Sequence, residues 1–269
     1  MFATDFLFDN QRASDFGCMI CSFDGGAETA SGGEIEYNVV KAPNRDKYIF
    51  YGAQFDGVIT WAFSICKNPC KNDTLYFDQY EESMITKWLL KTDGYKSFQF
   101  NQEGYEDIFY NVYINLSPHQ IAGKTVGFDL EVTSDCAYGF SDIITRKAVI
   151  SSSAPLTLNV HSDINTYILP YVKINGTGDF KISNDRNGST EITELKNVLQ
   201  EQEIIMDSDS EIILLRSDDD TIPALPFPNP NNFNWHFLRL VDGINNIRTD
   251  SESGIEIEIQ YREPRRVIV

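Results

Sequence analysis

The chain has 269 residues, 42% of them hydrophobic and 13% aromatic, and a net charge of −18. Such content is too high for a disordered chain, and at about 150 residues per domain the length corresponds to two cores. The charge is shared, with 21 acids and 12 bases in residues 1–150 and 19 acids and 10 bases in residues 151–269. The only basic cluster is Arg262, Arg265 and Arg266, which argues against nucleic-acid binding, since that needs a basic face.

The start, Met1-Phe2-Ala3-Thr4-Asp5, lacks the basic and apolar regions of a secretory signal, and the longest aliphatic run, Ile212–Leu215, is far shorter than the roughly 20 residues of a membrane span. The expectation is a protein made in a cytoplasm, soluble and not inserted in a membrane, whose acidic surface keeps it dispersed until it meets a partner. Cys18 and Cys21 fall in an apparent strand, Phe16–Phe23. With Cys66 and Cys70 they allow a four-thiolate zinc site on paper, but residues three apart in a strand point to opposite faces. Together with Cys136 the thiols are therefore read as reduced and mostly buried.

Period-two alternation then dominates. Ile59, Trp61, Phe63 and Ile65 form one half-buried strand and Val126, Phe128, Leu130 and Val132 another. Ile35–Val40, Tyr48–Phe55, Tyr95–Phe100 and Ile108–Leu116 complete a sheet-rich first domain. A single amphipathic helix is predicted over 78–91. Asp78 and Glu81 suit a capping box, Tyr80, Met84, Ile85, Trp88 and Leu89 form its apolar stripe, Lys87 and Lys91 favour its C-terminal end, and Gly94 ends it.

Ser151-Ser152-Ser153-Ala154-Pro155 reads as the boundary, giving domains 1–150 and 151–269. In the second, Leu156–Val160, Tyr171–Ile174, Asp179–Ser183, Glu203–Met206, Glu211–Leu215 and Ile255–Tyr261 alternate between turns, the pattern of a β-sandwich. Glu191–Gln200 fits either helix or strand. Ile222–Pro230 holds four prolines in nine residues, a stiff connection, and a strand is expected at Trp235–Leu240.

No residue stands out as catalytic, cofactor-binding or metal-ligating. His119, His161 and His236 are dispersed, and there is no nucleophile elbow, dinucleotide turn or phosphate loop. Asp207-Ser208-Asp209-Ser210-Glu211 opens like a calcium loop, but Ile212 occupies the position needing glycine and Asp218 the position needing glutamate. A glycosidase pair among the many carboxylates stays open but undesignated.

Phe6-Leu7-Phe8-Asp9-Asn10-Gln11-Arg12-Ala13-Ser14-Asp15-Phe16-Gly17 resembles the opening of siphophage and prophage distal tail proteins. The likeness continues, in order and spacing, through Trp88-Leu89 with Gly94-Tyr95, Asn175-Gly176-Thr177-Gly178, Ile182-Ser183-Asn184, Asp242-Gly243-Ile244-Asn245 and the strand Ile255–Arg262. It implies a mainly β, two-domain fold whose second domain is a galectin-like or carbohydrate-binding-like sandwich. It also implies a non-enzymatic, hexameric hub ring at the virion tail tip, assembled in the bacterial cytoplasm, with tail tube, tape measure and tail-associated tip proteins as partners and no cofactor. The first domain is expected to close the ring through aromatic-rich extended segments such as Tyr48–Phe55 and Phe109–Tyr113. A carbohydrate-binding adhesion module, with cell-surface sugar as partner, is the alternative.

Overall fold

The computed structural model describes residues 3–23, 29–31, 34–186, 192–199, 202–217, 225–227, 229–252 and 254–266. The fold is mainly β with one α-helix among the described residues, and contacts divide the chain into two units, Met1–Phe140 with Arg266–Val269, and Ser141–Arg265.

In the first unit, antiparallel strands follow the order Gln11–Arg12, Phe6–Phe8, Lys96–Phe100, Tyr110–Ile121, Lys124–Ser134, Thr60–Lys67 and Cys18–Cys21, and Thr29–Ser31 also pairs with Thr60–Lys67. Alternation gives the sheet one apolar face, with Phe6, Phe8, Phe98, Phe100, Tyr110, Trp61, Phe63, Phe128 and Leu130 all buried. Three strands lie between those of Phe6 and Phe63 in the sheet order, yet the two rings approach to 5.7 Å. The sheet therefore curls around its own apolar face, as a right-handed twist accumulated over many strands allows.

The helix, Gln79–Leu89, lies against this core. Asp78 and Glu81 complete the capping box: each carboxylate accepts the other residue's backbone N–H at 2.8 Å. Ile85, Trp88 and Leu89 are buried. Tyr80 and Met84, expected in the same stripe, are exposed, Tyr80 by 74%. At 3.6 residues per turn they stand about 130° and 90° from the middle of the buried face, beyond the reach of the sheet.

The opening segment folds as one piece around Trp88. Asp9 and Asn10, both at positive φ (49° and 62°), make the two-residue turn that pairs Phe8 with Gln11. A 3-10 turn, Ala13–Phe16, ends at Gly17 with φ 68°. Phe16 stacks on the indole at 4.4 Å and Phe6 at 5.6 Å, while the indole N–H donates to the Phe8 carbonyl at 3.1 Å.

The second unit is a sandwich. One sheet runs Ile144–Ile150, Ile255–Tyr261, Tyr171–Asn175, Gln202–Asp207, Ile212–Ser217 and Leu225–Pro226, and the other Leu156–Val160, Gly243–Thr249, Gly178–Asn184 and Ile192–Val198. Their inner residues, among them Val172, Ile174, Phe180, Ile182, Ile247, Ile257 and Ile259, share one core. The turn Asn175-Gly176-Thr177-Gly178 carries the chain from the first sheet to the second. Gly178 there has φ 80°, and a Cβ on Gly176 would stand 2.8 Å from the Ile255 side chain.

Ser151–Pro155 is a turn inside this unit, joining Ile144–Ile150 in one sheet to Leu156–Val160 in the other, and the contacts change unit at Phe140/Ser141 instead. The ambiguous segment is a strand over Ile192–Val198; Glu191 and Gln200 lie outside the described residues. Trp235–Leu240 is not a strand. Backbone pairing with the edge strand stops at Asn234, whose N–H donates to the Glu194 carbonyl at 3.3 Å, and its side chain completes the contact: the side-chain carbonyl accepts the Glu194 N–H at 3.0 Å and the amide donates to the Ile192 carbonyl at 2.6 Å. The chain then turns away, with Trp235 at φ 60°. Of the proline-rich loop, residues 222–224 and 228 lie outside the described residues.

Candidate assembly surface

Among the described residues, Glu34–Lys41 and Tyr48–Asp56 pair only with each other, as a two-stranded antiparallel ribbon. Just outside it in the chain, Thr29–Ser31 pairs with Thr60–Ala62, so the ribbon prolongs that pair beyond the sheet. Register places Tyr37 opposite Ala53, Val39 opposite Phe50 and Lys41 opposite Tyr48, all on one face, with Tyr51 the extra residue of a bulge. Tyr37 and Phe50 approach to 6.4 Å, and the Lys41 ammonium lies 5.8 Å from the Tyr48 ring. Among the described residues nothing covers this stripe: Tyr37, Val39, Tyr48 and Phe50 are exposed, Phe50 by 61%, as are Val40 on the other face and Tyr51 at the bulge. An isolated two-stranded ribbon is marginal in water, and an apolar stripe on one marks a contact surface.

The other segment expected to serve as contact surface, Phe109–Tyr113, is mostly internal. Tyr110 is buried edge-on against Trp61 at 4.7 Å, and burial raises its phenol pKa well above the usual value. Only Tyr113 in that segment is exposed.

The thiols do not converge on one point. Cys18 is buried on the core face, where loss of hydration lifts its pKa to about 12. Cys21 and Cys66 lie on the outer face of neighbouring strands, and Cys70 is exposed beyond the strand end. EDTA treatment is accordingly expected to leave the thermal midpoint unchanged. Stoichiometric zinc by elemental analysis, with unfolding on chelation, would contradict this geometry.

His119 packs on Phe23 at 4.1 Å and lies 3.2 Å from Asp129, His161 lies 3.2 Å from the Asn159 amide, and His236 is on the segment following Trp235. Asp207 accepts the N–H groups of Asp209 and Ser210 at 3.1 and 3.2 Å, a hairpin turn in which the acid is used by its own backbone; Asp218 lies outside the described residues. Arg265, in the basic cluster, pairs with the buried Glu263 at 2.6 Å. Among the described residues no helix is long and apolar enough to cross a membrane.

Residues 1–136 match the family model described as phage tail protein N-terminal domain, and residues 138–261 the one described as phage tail C-terminal domain. The chain belongs to this phage tail family. Its fold is similar to that of the SPP1 Dit protein, described as a paradigm of the hub adsorption apparatus in phages infecting Gram-positive hosts: TM-score 0.61, 10% identity, 97% of this chain and 99% of that one. It is also similar to a chain of the phage P2 baseplate in its activated conformation with Ca, with TM-score 0.56 and 9% identity over 99% of both chains. The same baseplate with Sr gives TM-score 0.55 and 10% identity over 98% of both. No curated protein matches. At such identity the structural likeness speaks for the fold of this phage tail protein, while the family models carry the assignment. The opening residues that suggested it are the packed piece around Trp88.

Proposed function

We propose that the protein is the distal tail subunit of a siphophage or prophage, forming a closed hexameric ring that joins the tail tube to the tail-tip or baseplate apparatus facing the host. The observation that carries this reading is the ribbon of Glu34–Lys41 and Tyr48–Asp56, whose aromatic face no described residue of the chain covers. A ring requires one surface of each subunit to fit a different surface of the next, and a projecting strand pair with exposed rings is suited to reach a neighbour. The tail tube, tape measure and tail-associated tip proteins are the further partners, met in the host cytoplasm during assembly. The role is structural and contains no catalytic step.

Light scattering on full-length protein over a range of concentrations is expected to give a ring mass. Tyr37→Ser combined with Phe50→Ser should reduce it to that of a protomer while changing stability by less than about 0.5 kcal/mol, as for surface positions. A double variant that assembles like the parent would remove the ribbon from the ring contact.

A carbohydrate-binding role for the second unit is the other reading, and one feature favours it. Trp235 is 55% exposed and held at positive φ by the anchored Asn234, which makes it a ring platform of the kind sugars stack on. Retention on host cell-wall polysaccharide that disappears in Trp235→Ala would support it, and equal elution of both proteins would dismiss it.

A further inference from the structure

We infer that Cys21 and Cys66 are the site of a disulfide bond, formed by exchange with a low-molecular-weight disulfide, that closes the base of the projecting ribbon. The register pairs Cys21 with Ser64 and Met19 with Cys66, so the two cysteines are diagonal neighbours on the same face of adjoining strands. Both thiols are half-buried on the outer face of the sheet. Cys18, in the same strand, points to the opposite face and is buried in the core. The ribbon, Glu34–Asp56, lies between residues 21 and 66 in the chain, so a bond between them makes it a covalently closed loop. This inference rests on the strand register and stands whether or not the ribbon closes a ring.

The chemistry assigns the two thiols different parts. Hydrogen bonding from the Cys21 thiol holds the Cys66 pKa down to about 7, against the opposing effect of burial, so Cys66 is the more readily ionised of the two and the attacking sulfur. Its sulfur attacks one sulfur of the external disulfide, expelling one thiolate and leaving a mixed disulfide on Cys66. Cys21 then gives up its proton and attacks the Cys66 sulfur, and the second external thiol leaves. The protein loses two hydrogens and the external disulfide is reduced to two thiols. Diagonal neighbours stand about 7 to 8 Å apart between Cα atoms, just beyond the usual disulfide span of about 4.4 to 6.8 Å, so the edge must close slightly. Cys21 is the last residue of its short edge strand, where such a shift disturbs least pairing.

The test uses full-length protein incubated at pH 8 with oxidised glutathione, then alkylated and digested without reductant for mass spectrometry. Fragmentation spectra are expected to place the main cross-link between Cys21 and Cys66, while Cys21→Ser stops at glutathione on Cys66 and Cys66→Ser shows neither product. The wild-type linkage is read directly, so it decides the matter even if a variant folds poorly. Glutathione persisting on wild-type Cys66 without a link, a link through Cys18, or faster capture by the exposed Cys70 would each overturn the assignment.

Discussion

Replacing Trp88 by alanine is expected to lower the stability of the first unit by about 3 to 5 kcal/mol, the range for truncating a large buried aromatic. The indole is 3% exposed and lies between Phe16 and Phe6, with Phe8 edge-on at 6.3 Å. Its removal opens a cavity where the opening hairpin, the 3-10 turn and the helix meet, and it also takes away the donor to the Phe8 carbonyl. That hydrogen bond is expected to account for about 1 kcal/mol, so Trp88→Phe, which keeps a ring but no donor, should fall between parent and alanine variant. Urea denaturation at constant slope checks both, and equal midpoints for parent and Trp88→Ala would mean that the ring is not part of the core.

The same site shows what could be read in the sequence. Alternation located most strands because one face of each is buried and the other wet, and the capping box located the helix start because its two residues satisfy each other. The apolar stripe predicted for the helix is wider than its buried face, since only Ile85, Trp88 and Leu89 are buried there, and spacing alone does not reveal the width of the surface a helix meets. Ile192–Val198 resembled a helix for a local reason. Thr193 and Leu195 are buried at period two, but Asn197, at φ 54°, and the register shift opposite Gly178/Phe180 insert a bulge, so Val198 is buried instead. The resulting spacing of three imitates a helical turn.

Two other features left no local signal. The change of unit at Phe140/Ser141 has no proline or serine run, whereas Ser151–Pro155 has one because it is a turn between the two sheets of the sandwich. The ribbon could be read as two strands, but not as two strands without a sheet. Whether anything covers Tyr37 and Phe50 depends on where the rest of the chain goes. The candidate contact surface is therefore legible in the sequence only as aromatic and extended, while its separation from Phe109–Tyr113, which is mostly internal, requires the fold.

Asn245→Ala is expected to cost the second unit about 2 to 4 kcal/mol, although it removes little volume. The side chain is fully buried and uses both ends: its carbonyl accepts the Val241 N–H at 3.0 Å and the Asn184 amide at 2.8 Å, and its own amide donates to the Val241 and Gly243 carbonyls at 2.7 and 3.0 Å. Asn184 in turn donates to the Arg239 carbonyl at 2.9 Å. Two of the likeness motifs, Ile182-Ser183-Asn184 and Asp242-Gly243-Ile244-Asn245, thus meet in one polar network that ties the irregular segment ending at Leu240 to the four-stranded sheet. Each buried group left without a partner costs about 1 to 3 kcal/mol, which makes the loss larger than the atoms removed would suggest. If the pair acts as a unit, Asn184→Ala and Asn245→Ala should be non-additive, with a coupling of about 0.5 to 3 kcal/mol in a double-mutant cycle read from urea midpoints. Additive losses would mean that each asparagine serves its own backbone neighbours and that the motifs are matched for separate reasons.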